Sequence, residues 1–369
     1  MYLKSIKISN FRALQGAECT LNPGLNLIVG PNDSGKTALV DAIRLVLRQI
    51  VDDYFRIDKD DFNDTGKDIN IDLIFSFDDC SDNEKLRDEA SLFAEYLSFD
   101  DQESPEVKIW YTAQYNEDNI KYPEFKVGPT KEVAIDMDIR CRDNFKIIYL
   151  KPLRDAENEL KAKQGSRISK IFSKLPLLCE KENKKMLIGY LKKFRNDMVN
   201  FFNSEDIKKI KEQLDAYLCN FDEQKYAKSK NIQISPTEYS DDNKKIEQNF
   251  LRTLEKIALY YDEDSFKKPG LGTMNMIFIA AELLHLSSQR VPKMLLIEEV
   301  EAHLHPQRQL KIIKSLQKES ENGIQMILTT HSPNLASVID VKRLNLCQNG
   351  VFYSLKDGET ELELKNYSY

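Results

Sequence analysis

The chain has 369 residues, 41% hydrophobic and 31% charged, with a formal net charge of −7. That is enough apolar material for a sizeable core and about two domains, and too much for a disordered chain. The apolar runs, Met276–Leu284 and Met294–Ile297 among the longest, fall short of the roughly 18 residues a membrane span needs, and MYLKSIKISNFR lacks the apolar stretch of a secretory signal.

Six cysteines stand singly with no CxxC pair, which speaks against a disulfide framework or a zinc ribbon. A cytoplasmic protein with no membrane partner is the expectation. The charge is uneven. Residues 52–106 carry 19 acids against 5 bases, a net of −14, and residues 151–230 carry 19 bases against 12 acids, a net of +7. The basic stretch reads either as a solvated Lys-rich helical face or as a surface that meets nucleic acid.

In chain order, the first thirty residues read as three strands, around Leu3–Ile8, Ala17–Leu21 and Leu25–Val29. From Gly35 to Ile50 apolar residues recur every three or four positions, which is helical spacing. Strands are predicted over Ile69–Phe77, Val107–Tyr115 and Phe145–Leu150, with a helix over Asn83–Leu97. Helical periodicity then runs through Ile168–Leu178, Met186–Phe202 and Ile207–Phe221, marking a mostly helical insertion. After the Lys-Pro-Gly turn at 268–270 comes a helix over Thr273–Leu286. A strand over Met294–Ile297, a helix over Pro306–Glu319, a strand over Met326–Leu328 and a short helix from Ser332 follow.

Short apolar strands alternating with helices imply an α/β fold with a parallel sheet covered on both faces. The expected divisions are residues 1–153, an N-terminal half-core with an acidic β-rich lobe; 154–264, the helical insertion; and 265–369, the C-terminal half-core.

Gly30-Pro31-Asn32-Asp33-Ser34-Gly35-Lys36-Thr37 matches GxxxxGK(S/T) between a strand and a helix, the context a phosphate-binding P-loop demands. Its glycines let backbone N–H groups face an anion at a helix N-terminus. Lys36 is placed for the β- and γ-phosphates of ATP and the Thr37 hydroxyl for Mg²⁺. The strand Met294–Ile297 ends in Glu298-Glu299, as a Walker B segment does: the first acid holds Mg²⁺ and the second positions or deprotonates the attacking water. Glu298 stands where Asp is usual, which leaves the split of roles between the two carboxylates open. A further apolar strand ends in Leu328-Thr329-Thr330-His331-Ser332-Pro333. Glu301-Ala302-His303-Leu304-His305-Pro306 places His-x-His beside acids, but no further His or Cys ligand lies near, so a subunit-interface loop is the better reading than a metal site.

Taken together, IEEVEAHLHPQ, TTHSPNLAS, GPNDSGKT and NFRAL resemble the ATPase domain of the OLD (overcoming lysogenization defect) nuclease family, a relative of RecF- and SMC-type ABC ATPases; YLKPLRDA, Tyr149–Ala156, is similar as well. The resemblance spans roughly residues 1–80, 145–156 and 265–350. It implies an ABC-type P-loop ATPase core using ATP and Mg²⁺, in which His331 contacts the γ-phosphate and Arg12 lies near the nucleotide. It also implies ATP shared between two subunits, as a homodimer or a dimer of dimers. The second subunit would contribute a signature, for which Gly270 and Gly272 are the candidates although the usual serine and glutamine are missing. DNA is the implied partner. OLD proteins carry a TOPRIM nuclease domain after the ATPase, and only residues 351–369 follow Gly350. That domain is therefore expected on a continuation of this chain or on a separate nuclease partner, with ATP regulating DNA cleavage in phage defence. A RecF- or SMC-like repair ATPase is the alternative, but residues 154–261 lack sustained heptads. A transporter subunit would need a better signature and a membrane partner.

Overall fold

The computed structural model describes residues 1–47, 57–77, 84–101, 103–116, 119–150, 180–202, 204–205, 208–209, 272, 276, 279–280, 283, 293–302, 304–321 and 323–355. The chain divides into two units: residues 1–154 with 271–279 and 289–369, and residues 155–270 with 280–288.

In the first unit the elements run β1 (Tyr2–Phe11), β2 (Leu14–Thr20), β3 (Leu25–Val29), α1 (Lys36–Leu47), β4 (Ile69–Ser76), α2 (Glu84–Ser91), β5 (Leu97–Phe99), β6 (Pro105–Ala113), β7 (Tyr115–Asn116), β8 (Asn119–Ile120), β9 (Glu124–Gly128), β10 (Ile135–Asp136), α3 (Ile139–Asp143) and β11 (Lys146–Leu150). The second unit contributes α4 (Lys181–Phe202), which carries exposed Met186, Tyr190 and Phe194. The first unit resumes with β12 (Lys293–Ile297), α5 (Pro306–Ser320), β13 (Ile324–Thr330), α6 (Pro333–Ala336), β14 (Leu344–Gln348) and β15 (Val351–Ser354).

Two sheets form the first unit. One is six-stranded, ordered β11-β12-β13-β3-β14-β15, and parallel except for the β14–β15 hairpin. The other is seven-stranded and antiparallel, ordered β10-β9-β6-β4-β1-β2 with β5 on β6. Their sequences show the difference. In β4, Ile69, Ile71, Leu73 and Phe75 are buried while Asn70, Asp72 and Ile74 between them are not, the period-two pattern of a sheet with one wet face. In β13 all seven residues are buried, as a central parallel strand requires. Helix α1 buries ten of its twelve residues, Lys36 and Asp41 included, and touches β1, β4, β6 and β11. A helix apolar on every side needs cover on every side, and α1 has it as the layer between the sheets. On the other face, α5 packs on β13 and β3.

The acidic β-rich segment is therefore not set apart from the N-terminal strands. Its strands pair with β1, so β1 and β2 belong to the antiparallel sheet and only β3 of the first three strands enters the parallel one. The helix expected over Asn83–Leu97 ends at Ser91, and Leu97 opens β5, where Leu97-Ser98-Phe99 pairs with Val107, Glu106 and Pro105. Residues 168–178, almost all of 207–221 and most of 273–286, where helices are predicted, lie outside the described residues. No helix among the described residues is long and apolar enough to cross a membrane.

One buried side chain ties the sheets together. Gln325 on β13 is 3% exposed. Its amide oxygen accepts the Leu3 N–H at 2.8 Å, and its amide nitrogen donates to the carbonyls of Leu3 at 2.9 Å and Asn22 at 3.2 Å. Leu3 adjoins the irregularity where the β1–β4 register shifts, so the amide serves backbone groups beside that break. Replacing Gln325 with Leu keeps the volume and orphans a buried donor and its acceptors, at about 1–3 kcal/mol for each group left unpaired. Urea denaturation of Gln325→Leu is expected to show a loss on the order of 3 kcal/mol.

Candidate functional site

Parallel pairing brings three chain segments to one sheet edge. Val29 pairs with Thr330, Leu328 with Ile297, and Ile297 with Leu150. The residues that follow these strand ends, Gly30, His331 and Glu298, therefore leave the sheet side by side. This is the carboxyl edge of an open parallel sheet, where ligands of such folds bind.

The loop from Gly30 to Thr37 is shaped by its neighbours. Asp33 has φ +59° and Gly35 φ +109°, and a side chain at Gly35 would press on Leu14. A Cβ on Gly30 would collide with the Cys347 carbonyl oxygen, so only glycine fits there. The Ser34 carbonyl accepts the Gly350 N–H at 2.8 Å and the Cys347 Sγ–H at 3.2 Å. Burial pushes the Cys347 thiol up, which keeps it a donor. Pro31, Asn32, Asp33 and Thr37 are exposed, whereas Ser34, Gly35 and Lys36 are buried. The Lys36 ammonium donates to the carbonyls of Gly30 at 2.8 Å and Pro31 at 2.6 Å, which holds it against the loop it is expected to serve.

Glu298 is 6% exposed. Its N–H donates to the Leu150 carbonyl at 2.9 Å, and its Oε2 accepts the Tyr149 hydroxyl at 3.2 Å. Burial, then the negative charge of Asp41, lifts its carboxyl to about 7. Tyr149 lies under the Arg44 guanidinium at 3.6 Å, and burial followed by Glu298 raises its phenol. Arg44 donates to Asp41 Oδ1 at 2.6 Å, while Arg12 donates to Asp41 Oδ2 at 2.6 Å and Asp61 Oδ1 at 2.7 Å. Burial opposes the Arg12 charge, but these two carboxylates overcome it and raise its pKa. Arg12, expected beside the phosphates, thus has its guanidinium on Asp41 and Asp61. Glu299 has φ +46° and donates its N–H to Thr329 Oγ1 at 3.2 Å. The His331 N–H donates to Glu301 Oε1 at 2.9 Å.

Sequence reading missed Asp41, Arg44, Tyr149 and Glu301 as parts of this site. Tyr149 and Glu301 stood inside segments that carry the family resemblance, but none of the four matches a phosphate- or metal-binding pattern. Of the signature candidates, Gly272 sits in a half-buried helical position and Gly270 lies outside the described residues. His303 is outside them too, and His305 caps α5, its Nδ1 accepting the Gln307 N–H at 3.4 Å.

The Glu298 Oε1 atom is buried without a hydrogen-bond partner. With the Thr37 hydroxyl it makes a set of hard oxygen donors, the kind Mg²⁺ takes with waters and phosphate oxygens. The residues present fit that ion. Among the described residues, no group of three or more His, Cys, Asp or Glu is arranged to hold a metal by protein ligands alone.

The chain is 25% identical over 356 residues to the OLD nuclease of Thermus scotoductus, an alignment that takes in 93% of this chain and 61% of that protein. It thus spans about three-fifths of that relative's length. A 63-residue stretch is 43% identical to the Retron Ec83 probable ATPase of Escherichia coli, covering 17% of this chain and 11% of that protein. A 43-residue stretch is 46% identical to the DNA replication and repair protein RecF of Erwinia tasmaniensis, covering 12% of each. Among solved structures, the recombination mediator protein RecF-ATPrS of the RecFOR pathway superposes with a TM-score of 0.50 at 17% identity, over 96% of this chain and 98% of that one. An SMC head bound to the C-winged helix domain of ScpA gives 0.51 at 17% identity, over 96% and 97%. These likenesses show the fold, that of RecF and of an SMC head. The model of the AAA ATPase domain, AAA_15, matches residues 1–336, and the chain belongs to that family.

Proposed function

We propose that this chain binds ATP with Mg²⁺, hydrolyses it, and through that cycle controls DNA cleavage by an OLD-type nuclease in phage defence. The observation that carries the reading is the register that sets the P-loop, Glu298 and His331 on one sheet edge. The match to the OLD nuclease over 93% of the chain supports the nuclease context. The 43-residue likeness to RecF favours, as a second reading, a DNA repair ATPase that does not cut.

In the proposed site the loop N–H groups and the α1 N-terminus hold the phosphates, and Lys36 moves its ammonium from the Gly30 and Pro31 carbonyls onto them. Thr37 and Glu298 hold Mg²⁺, which when bound neutralises charge developing on the phosphate oxygens. Glu299 accepts a proton from the attacking water as its oxygen bonds to the γ-phosphorus and the bond from that phosphorus to the β–γ bridging oxygen breaks, ADP leaving with the electron pair. His331 orients that water and senses the γ-phosphate. Arg12 is assigned to fixing α1 through Asp41 rather than to the phosphates.

We further infer that two copies share each ATP, with Gly270 and Gly272 supplying N–H groups from the partner and the Glu301–Pro306 loop lying at the contact. DNA, and a TOPRIM nuclease domain or a separate nuclease, complete the assembly. The free thiols of Cys19, Cys141 and Cys347 suit a reducing, cytoplasmic setting.

Three measurements test this reading. Lys36→Ala is expected to weaken ATP binding by about 1.5–3 kcal/mol, roughly 10- to 150-fold, in a calorimetric titration. Glu299→Gln is expected to bind ATP normally and to turn it over about 10²–10⁴ times more slowly in a phosphate-release assay. Light scattering of Glu299→Gln with ATP is expected to give a dimer or a larger even assembly, and a monomer there would remove the shared site.

A further inference from the structure

Glu301 lies three residues past Glu298, yet its carboxylate faces the end of β13. It is 7% exposed. Oε1 accepts the backbone N–H of His331 at 2.9 Å and lies 3.2 Å from the same residue's ring Nδ1, while Oε2 is buried without a hydrogen-bond partner. The two turns are joined a second time: Ser332 Oγ donates to Gln309 Oε1 at 3.4 Å, and the Gln309 amide donates to the Leu304 carbonyl at 2.9 Å. The outer part of the imidazole is free to meet a ligand, since the His331 side chain is 49% exposed.

An ionised carboxylate oxygen only accepts hydrogen bonds. With an imidazole nitrogen 3.2 Å from it, protonation of that nitrogen is favoured, because an unprotonated nitrogen and a carboxylate oxygen repel at that distance. That leaves two forms of the ring, the neutral Nδ1–H tautomer and the cation. Nε2 is an acceptor in the first and a donor in the second. The neutral Nε2–H tautomer, the one form that would put a lone pair against Glu301, is disfavoured. A carboxylate behind an imidazole sets the tautomer and orientation of histidines in hydrolytic triads and metal sites by the same logic. Burying a carboxylate with one oxygen unpartnered costs stability, so stability alone does not account for Glu301.

We propose that Glu301 is the positioning residue of His331: it fixes the ring as Nδ1-protonated and aims Nε2 at the γ-phosphate and its attacking water. The second half of this statement rests on the reading of His331 given under the proposed function.

The tautomer is measurable without nucleotide or turnover. The chain has four histidines, so long-range ¹H–¹⁵N spectra of the ¹⁵N-histidine-labelled protein at alkaline pH are tractable, with His331→Ala assigning the signal. The expected result is a protonated Nδ1 and a pyridine-type Nε2 in wild type, shifting toward the Nε2–H form in Glu301→Gln, whose amide can offer either an oxygen or an N–H. A wild-type ring in the Nε2–H form, or an unchanged tautomer in Glu301→Gln, would overturn the proposal. In turnover, Glu301→Gln is expected to lower kcat about 10- to 100-fold with ATP affinity kept, as loss of an orienting partner does. It should add nothing in a His331→Ala background. A further drop in that background would place Glu301's effect elsewhere and reject the proposal. Wild-type turnover by His331→Ala would instead reject the reading of His331, and the spectra would still decide the Glu301–His331 pairing.

Discussion

Parallel hydrogen bonding of β3 to β13 and of β13 to β12 is the constraint on which the site depends. Parallel strands reach the same edge each time, and the chain must return by a crossover before the next. Three turns that are remote in sequence thus emerge together after Val29, Thr330 and Ile297. The register has little freedom. β13 is buried along its whole length, and Gln325 at its start is committed to Leu3 and Asn22. A slip of one residue would break those hydrogen bonds and bring the polar turn at His331 into the core.

The antiparallel sheet contributes through charge. Arg12 follows β1 and links Asp61, which precedes β4, to Asp41 on the helix that opens at the P-loop. Asp41 then holds Arg44, Arg44 covers Tyr149, and Tyr149 donates to Glu298. A buried carboxylate needs such partners, and the network supplies them for Asp41 in full and for Glu298 on one oxygen. The unpartnered oxygens of Glu298 and Glu301 mark where this accounting stops, and both lie in the turn after β12. Buried polar groups left unmatched inside an otherwise matched network are where function and stability part.

Local signals made much of this legible. GPNDSGKT between an apolar strand and a 3.6-period helix was readable because glycines at positions 30 and 35 ahead of a helix N-terminus form a local pattern suited to an anion. The strands leading to Glu298-Glu299 and to His331 were readable because burial on both faces leaves the apolar runs Met294–Ile297 and Met326–Leu328. Strands β5, β9, β10, β14 and β15 were not, being short and without a strong alternating pattern.

What the sequence by itself determined are the units whose physics is local: the phosphate loop, its helix, the acid-tipped strand and the histidine turn. Only tertiary structure decided that β1 and β2 leave the parallel sheet, that a turn at Gly350 fastens the Ser34 carbonyl, and that Arg12 serves Asp41. Tertiary structure alone also put Glu301 behind His331. The reason is separation along the chain. Each of these depends on groups from about 30 to more than 300 residues apart, whose pairing is worth little until the sheets have fixed their distance and excluded water.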